Sequence, residues 1–478
     1  MKVSRLFGWL YHALNHPQAW IVPTAAFAII YAALSLVGHY NFHTNAYDLG
    51  IFNQGLYHYA HGELGPNTLR HVATLLGDHF ELAPLLVAPL YYLFGTYTLL
   101  LVQITAILAG GYGVYRLVSR ETGSRVVAIT ALLIFYLFFG VYSALSFDYH
   151  NNVLGAMLLP WLLLTLRQQQ FRAYYVLLGA FLLCKENLAL ISLFLGLGTA
   201  VFEKRGLRKH GLITAMASLA YFGVVLGLVI PAFNNGQYDH WIYTALGSGP
   251  LEAVQNLILH PISSAALWFD HPDKLQYLAL LGISGGFLAA RRPVYALLFV
   301  PLLAQKFFAD DPQLWGYRFH YSIEFAPLVA AGAAITASRF RPRFRTVALV
   351  SLIVVNLGIL ANLKLTDGSR LTKLATPSWY AGPAAHRPVI KQALAMVPAD
   401  AAVSTQNVVV PHLTKRDQIY LYPEVSDARF IVLDETLSYT EPGSLERTSF
   451  AAHISQLTAN PAYQHVFERD GMHIFEKR

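Results

Sequence analysis

Apolar runs long enough for membrane helices alternate along the chain with short polar loops. The runs are 19–38, 97–117, 126–146, 152–166, 173–185, 187–202, 211–233, 275–290, 293–309, 322–338 and 346–363. A perpendicular helix needs roughly 20 residues to cross the hydrocarbon core. The pattern therefore predicts a polytopic α-helical membrane protein with about 11 transmembrane helices. Segment 82–95 is a shorter apolar piece carrying Pro84 and Pro89, which predicts a re-entrant or interfacial helix. The first run is followed by His39, Tyr40 and Asn41 rather than by a small-residue cleavage site, and reads as an uncleaved span. Beyond 363 the pattern changes. PVIKQALAMV is helix-like, whereas AAVSTQ, IYLY, ARFIVLDE and HIFEKR are strand-like. The chain thus divides into a membrane domain, 1–363, and a small α/β domain, 364–478.

Charge orients this pattern. Arg116, Arg120 and Arg125 share one loop, Arg167 and Arg172 a second, and Lys204, Arg205, Arg208 and Lys209 a third. Arg291 and Arg292 form a fourth, and Arg339, Arg341, Arg343 and Arg345 a fifth. With Lys2 and Arg5 inside, alternation puts all five in the cytoplasm. The expected location is the cell (inner) membrane, with a cytoplasmic N-terminus and an extracytoplasmic tail. Only 13% of the 478 residues are charged, against about 25% in a soluble domain. Mean hydropathy is +0.42. The net charge of +7 sits in loops explained by membrane topology, which argues against a nucleic-acid partner. The single cysteine, Cys184, excludes an internal disulfide and reads as a packing residue.

The loops on the other side carry different residues. The first holds Asp48, followed by an apolar and aromatic run that predicts an amphipathic helix along the membrane surface. Asp48 is either its N-cap or a general base or metal ligand. The same loop ends in Asp78 and His79. Asp148 and His150 close a later span; in an extended stretch, residues two apart share a face. Lys185 and Glu186 stand at the tip of the 173–202 hairpin, where ionisable groups are functional candidates or a local ion pair. Arg318, His320 and Tyr321 precede the 322–338 span, with Glu324 just inside it. Arginine suits bidentate recognition of phosphate or carboxylate.

Together these residues describe a wet, charged site on the extracytoplasmic face, suited to group transfer from a lipid-linked phosphate. An acid would activate the acceptor hydroxyl, and cations or a divalent metal would stabilise the leaving phosphate. No Gly-rich phosphate loop supports a nucleotide-sugar donor. The alternative is a transporter or lipid flippase, although the sequence lacks the repeated halves usual in transporters.

YDLGIFNQGLYHYAHG, LGDHFELAPLLVAPLYYLFG, SFDYHNN, CKEN and RFHYSIEFAPLVAAG resemble a bacterial and archaeal family of multi-pass membrane proteins of unknown function. That family is grouped with the GT-C superfamily of polyprenyl-phosphate-dependent glycosyltransferases. The resemblance extends to VSTQNVVVPHLTKRDQIYLYPEVSDARFIVLDE in the tail. It implies a GT-C-like fold and sugar transfer from a polyprenyl-phosphate-linked donor, with membrane lipid as surroundings and the acceptor open. Asp48 falls where such enzymes keep their first-loop acid, with Asp78 and His79 as a second acidic site. Asp148, His150, Lys185, Glu186, Arg318, His320 and Tyr321 would line the substrate site. The family pattern carries an acid where this chain has Asn53, a departure that argues against a metal at that position. GT-C members differ in metal dependence, so a divalent cofactor stays open.

Overall fold

A computed structural model of the chain describes residues 15–362, 374–437 and 447–478. Lys2 and Arg5, on which the orientation leans, and the expected boundary at 364 lie outside the described residues. The protein is mostly helical, with several apolar helices and a small C-terminal sheet.

All eleven apolar runs are helical over most of their length. Among the described residues, five stretches are long and apolar enough to cross a membrane: Ile21–Tyr40, Ala83–Thr122, Arg125–Ser146, Arg205–Phe233 and Pro342–Asn362. Phe171–Leu182, Leu188–Phe202, Pro293–Phe307 and Phe325–Ala337 are shorter apolar helices. The multi-pass reading stands, while helix length does not fix the number of crossings. Pieces of the expected interfacial segment, Ala83–Val87 and Tyr91–Phe94, are short and broken, and leave Leu86, Tyr92 and Leu93 exposed. Apolar side chains exposed this way suit a lipid boundary.

The chain forms two compact units that do not follow its linear order. The first comprises Met1–Tyr31, Gln103–Pro231 and Gln237–Lys373. Its helices are stopped by local chemistry. Ser124 caps Arg125–Leu137 by accepting from the Val127 N–H, and Phe138 breaks that helix with an extended ψ of 130°. Phe325–Ala337 is buried along its whole length, so it forms a central post around which the unit packs. Leu188–Phe202 and Arg205–Val224 meet backbone to backbone. A Cβ at Gly196 would lie 2.5 Å from the Ala215 nitrogen, and one at Gly211 2.6 Å from the Ala200 nitrogen. Only residues without a side chain permit that approach.

The second unit comprises Ala32–Val102, Ala232–Gly236 and Leu374–Arg478. Its sheet contains β1 (Val403–Thr405), β2 (Ile419–Leu421), β3 (Phe430–Asp434), β4 (Tyr463–Arg469) and β5 (Met472–Lys477). The spatial order is β2-β1-β3-β5-β4, with β1 parallel to β2 and β3, and β5 antiparallel to β3 and β4. β3 is buried at every position, as a central strand covered on both faces must be. Ile431, Leu433 and Phe475 pack with Phe450, Ile454 and Leu457 of helix Arg447–Ala459. Each such side chain contributes about 1.5–3 kcal/mol by leaving water. The strand-like stretches read from sequence match β1, β2, β3 and β5. β4 and helix Arg447–Ala459 are additions that the sequence reading missed.

Candidate active site

In the first unit, the expected substrate-site residues stand at helix ends. Phe139–Ser146 stops before Asp148, and Asn151–Arg167 begins after His150. Asp148 has φ +57°, so this link is not the extended stretch expected from spacing. Gln103 holds it: its Nε2 donates to the Asp148 carbonyl at 2.6 Å, and its Oε1 accepts from the His150 N–H at 3.0 Å. The His150 ring stacks on His320, centroid to centroid at 3.4 Å, and Tyr321 lies 4.0 Å from His320. Burial pushes the His320 imidazole well below its ordinary pKa, with His150, Lys185 and Lys306 adding to the effect. It is therefore a neutral ring at physiological pH, and its Nδ1 is buried without a hydrogen-bond partner among the described residues.

Lys185 and Glu186 lie where expected, at the tip between Phe171–Leu182 and Leu188–Phe202. Cys184 beside them is buried and donates to the Ala180 carbonyl, as a packing residue would. Glu186 is buried and faces Tyr238 and Tyr243 electrostatically. Burial pushes the Tyr243 phenol up to about 12, with Glu186 and Tyr321 contributing. Asn187 donates to Gln305 Oε1 at 2.8 Å. Glu186, Asn187, Tyr238, Tyr243 and Gln305 all line a cavity of about 680 Å³ whose other walls are largely apolar, including Leu190, Phe194, Phe222 and Leu226. Arg318 is exposed.

Lys306, Asn152, Tyr238 and Tyr243 were not singled out in the sequence. Lys306 is buried, donates to the Gly316 carbonyl at 3.0 Å, and lies 4.3 Å above the Tyr277 ring. Glu324 is buried too and accepts from Asn152 Nδ2 at 2.7 Å. A lysine inside an apolar run was the available signal for Lys306.

The second unit carries the acids of the first loop. Asp48 sits in the kinked turn Ala46–Gly50 with φ +89° and ψ −97°, close to the strained classic γ-turn. A side-chain-bearing residue there stores about 1–3 kcal/mol. Asp48 is not a helix cap: Gly50 occupies the N-cap of Ile51–Ala60, with no side-chain cap bond. Nor does that helix lie half-submerged as a surface helix, because eight of its ten residues are buried. Asn53 is fully buried and donates to the Thr96 carbonyl at 3.0 Å.

The strained turn is braced by the tail. Asn407 Oδ1 accepts from the Ala46 N–H at 2.7 Å, and Asn407 Nδ2 donates to Asn45 Oδ1. Gln54 donates to the Asp417 carbonyl at 2.8 Å. Asp78 forms a two-pronged ion pair with Arg70, at 2.8 and 3.2 Å. His79 follows in extended conformation, half-buried. Asp48 and Asp78 therefore differ: one rides a strained turn, and the other is matched by a guanidinium.

Residues 38–473 match the family described as "Predicted membrane protein (DUF2079)". The chain belongs to that family. Two crystal structures of ArnT from Cupriavidus metallidurans have the same fold as this DUF2079 protein. One is bound to undecaprenyl phosphate and aligns over 96% of this chain and 98% of that one, at 13% identity and TM-score 0.57. The other, in the apo state, has the same coverage and TM-score at 14% identity. No curated protein matches the sequence. The family resemblance and the GT-C-like fold read from the sequence both stand.

Proposed function

We propose that this DUF2079 protein is a GT-C-type glycosyltransferase that moves a sugar from a polyprenyl-phosphate-linked donor to an extracytoplasmic acceptor. The observation that carries this reading is the hairpin tip of the first unit: it holds Lys185, and its next two residues wall the apolar cavity. An apolar groove beside a cation suits a lipid chain ending in phosphate. The ArnT structure that shares this fold contains undecaprenyl phosphate. The basic residues clustered in the other loops support an extracytoplasmic site.

Asp48 is assigned as the base or metal ligand, a role supported by its strained backbone and its place in the first loop. Asp78 and His79 support it, Asp78 through its pairing with Arg70. Lys185 and Arg318 contact donor phosphate as cations, and His320 as a neutral hydrogen-bond donor, with His150 stacked beside it. Asp148, Glu186 and Tyr321 shape the same substrate region. The test is sugar transfer from polyprenyl-phosphate donors by purified protein. Lys185→Ala should raise the donor KM about tenfold or more, the loss of one charge-assisted contact. Absence of transfer across a broad donor and acceptor panel, with lipid movement across vesicles instead, would replace this reading with the flippase.

A further inference from the structure

The last hairpin of the tail gathers groups that the proposed sugar transfer does not use. β4 and β5 pair antiparallel, with Glu468 directly opposite His473. In a regular strand, residues three apart face opposite sides, so His465 and Glu468 should diverge. The register shifts between His465 and Phe467. That bulge inserts one extra residue and swings His465 round to the face of Glu468 and His473.

His473 Nδ1 then lies 3.2 Å from His465 Nε2. Each of His465, Glu468 and His473 offers a ligand atom within 4.8 Å of the others. Nitrogens about 2.0–2.1 Å from a tetrahedral zinc ion stand roughly 3.3 Å apart, close to the observed separation. The donors also differ usefully in freedom. His473 is held in the sheet with 6% exposure, and His465 is half-buried and stacks on Phe475 at 4.4 Å. The Glu468 side chain is 68% exposed and can rotate inward. The remaining nitrogen of His473, Nε2, is buried without a hydrogen-bond partner among the described residues and lies 4.0 Å from Glu435. A ligating histidine commonly turns its second nitrogen towards such an outer carboxylate.

We propose that this hairpin is a zinc-class metal site, with His465 Nε2 and His473 Nδ1 as ligands, Glu468 as the closing carboxylate and Glu435 orienting His473. Two imidazoles and one carboxylate favour a borderline transition ion over magnesium or calcium. The ion clasps the edge strand β4 to β5, so its effect is on the tail's stability and not on the transferred sugar.

The test titrates the untagged full chain, stripped of metal in detergent, with zinc chloride against a chromophoric chelator. Wild type should bind one more zinc per chain than the His465→Gln/His473→Gln pair, and zinc should raise the Tm of wild type alone. Glu435→Gln should weaken binding about tenfold, as outer-shell changes do, and Glu468→Gln should weaken it more. Equal zinc binding by wild type and the double variant overturns the proposal. Should the double variant fail to fold, zinc-edge absorption on wild type decides: two imidazole shells support the site, and their absence overturns it.

Discussion

The two polar regions are built by opposite means. In the first unit, His150, Lys185 and His320 stand where helices start or stop, so most of the surrounding backbone pairs within its own helices. In the second unit, Asp48 rides a turn that the local sequence does not favour, and Asn407, Asn45 and Gln54 pin that stretch through side-chain amides. Helix ends place charge with few outside contacts, the Gln103 amide on Asp148 and His150 being one, because most of the backbone pairs within its own helices. A loop-borne acid needs outside donors and acceptors to hold it, and those came from residues hundreds of positions away.

The sharpest way to break the comparison is at Asp48 itself. Asp48→Asn should lower turnover by about 10²–10⁴, the usual range for losing a general base, with Tm unchanged. Asp48→Gly should abolish turnover equally while stabilising the fold by about 1 kcal/mol, because glycine accepts φ +89° without strain. Chemical denaturation of both variants separates these effects, and a destabilised Asp48→Gly would contradict the strain.

Lys306→Met probes the helix-borne side. It removes a buried amine that donates to the Gly316 carbonyl and lies over the Tyr277 ring, in the region that also contains the buried Glu324. A cost of about 1–3 kcal/mol is expected from leaving the Gly316 carbonyl without its donor; thermal unfolding in detergent measures it. Asn407→Ala probes the brace. The Ala46 N–H would lose its acceptor, at a cost of about 1–3 kcal/mol. Amide exchange should quicken over residues 46–50 and not over 150–152.

A further effect is in acid. Burial lowers His412 to about 3, where it stacks flat on His39. An unfolded histidine titrates near 6.5. Between those values the unfolded chain binds a proton that the folded chain refuses, so stability falls as pH falls. The slope approaches about 1.4 kcal/mol per pH unit. His412→Phe should reduce the slope between pH 6 and 4 while the buried His320 keeps its own share; an unchanged slope would remove His412 as a source.

The helices and most of the sheet were legible because burial demands simple patterns: unbroken apolar runs for spans, and short β-rich stretches such as ARFIVLDE for β3. β4 escaped because it is a half-exposed edge strand whose bulge spoils the two-residue period. Lys185 and His320 were visible as ionisable residues at the ends of apolar runs. Asn407 was not, since an asparagine after a strand looks like any turn residue until its partner at Ala46 is known. The strain at Asp48 was hidden for a similar reason. YDLG reads equally well as a helix start, and only the folded backbone reveals φ +89°.

The contact between Gly196 and Gly211 sets the calibre of the cavity. Leu190 and Phe194 come from one of the two helices, and Phe222 and Leu226 from the other helix and its continuation. Two missing methyl groups, one midway along the first helix and one near the start of the second, bring both backbones to contact distance and so constrain the angle at which the walls open. The bore is therefore gauged by main chain, which cannot be retuned by rotamer changes. Changing what the cavity admits must proceed by exchanging lining side chains one at a time, while the hinge of the two walls stays as it is.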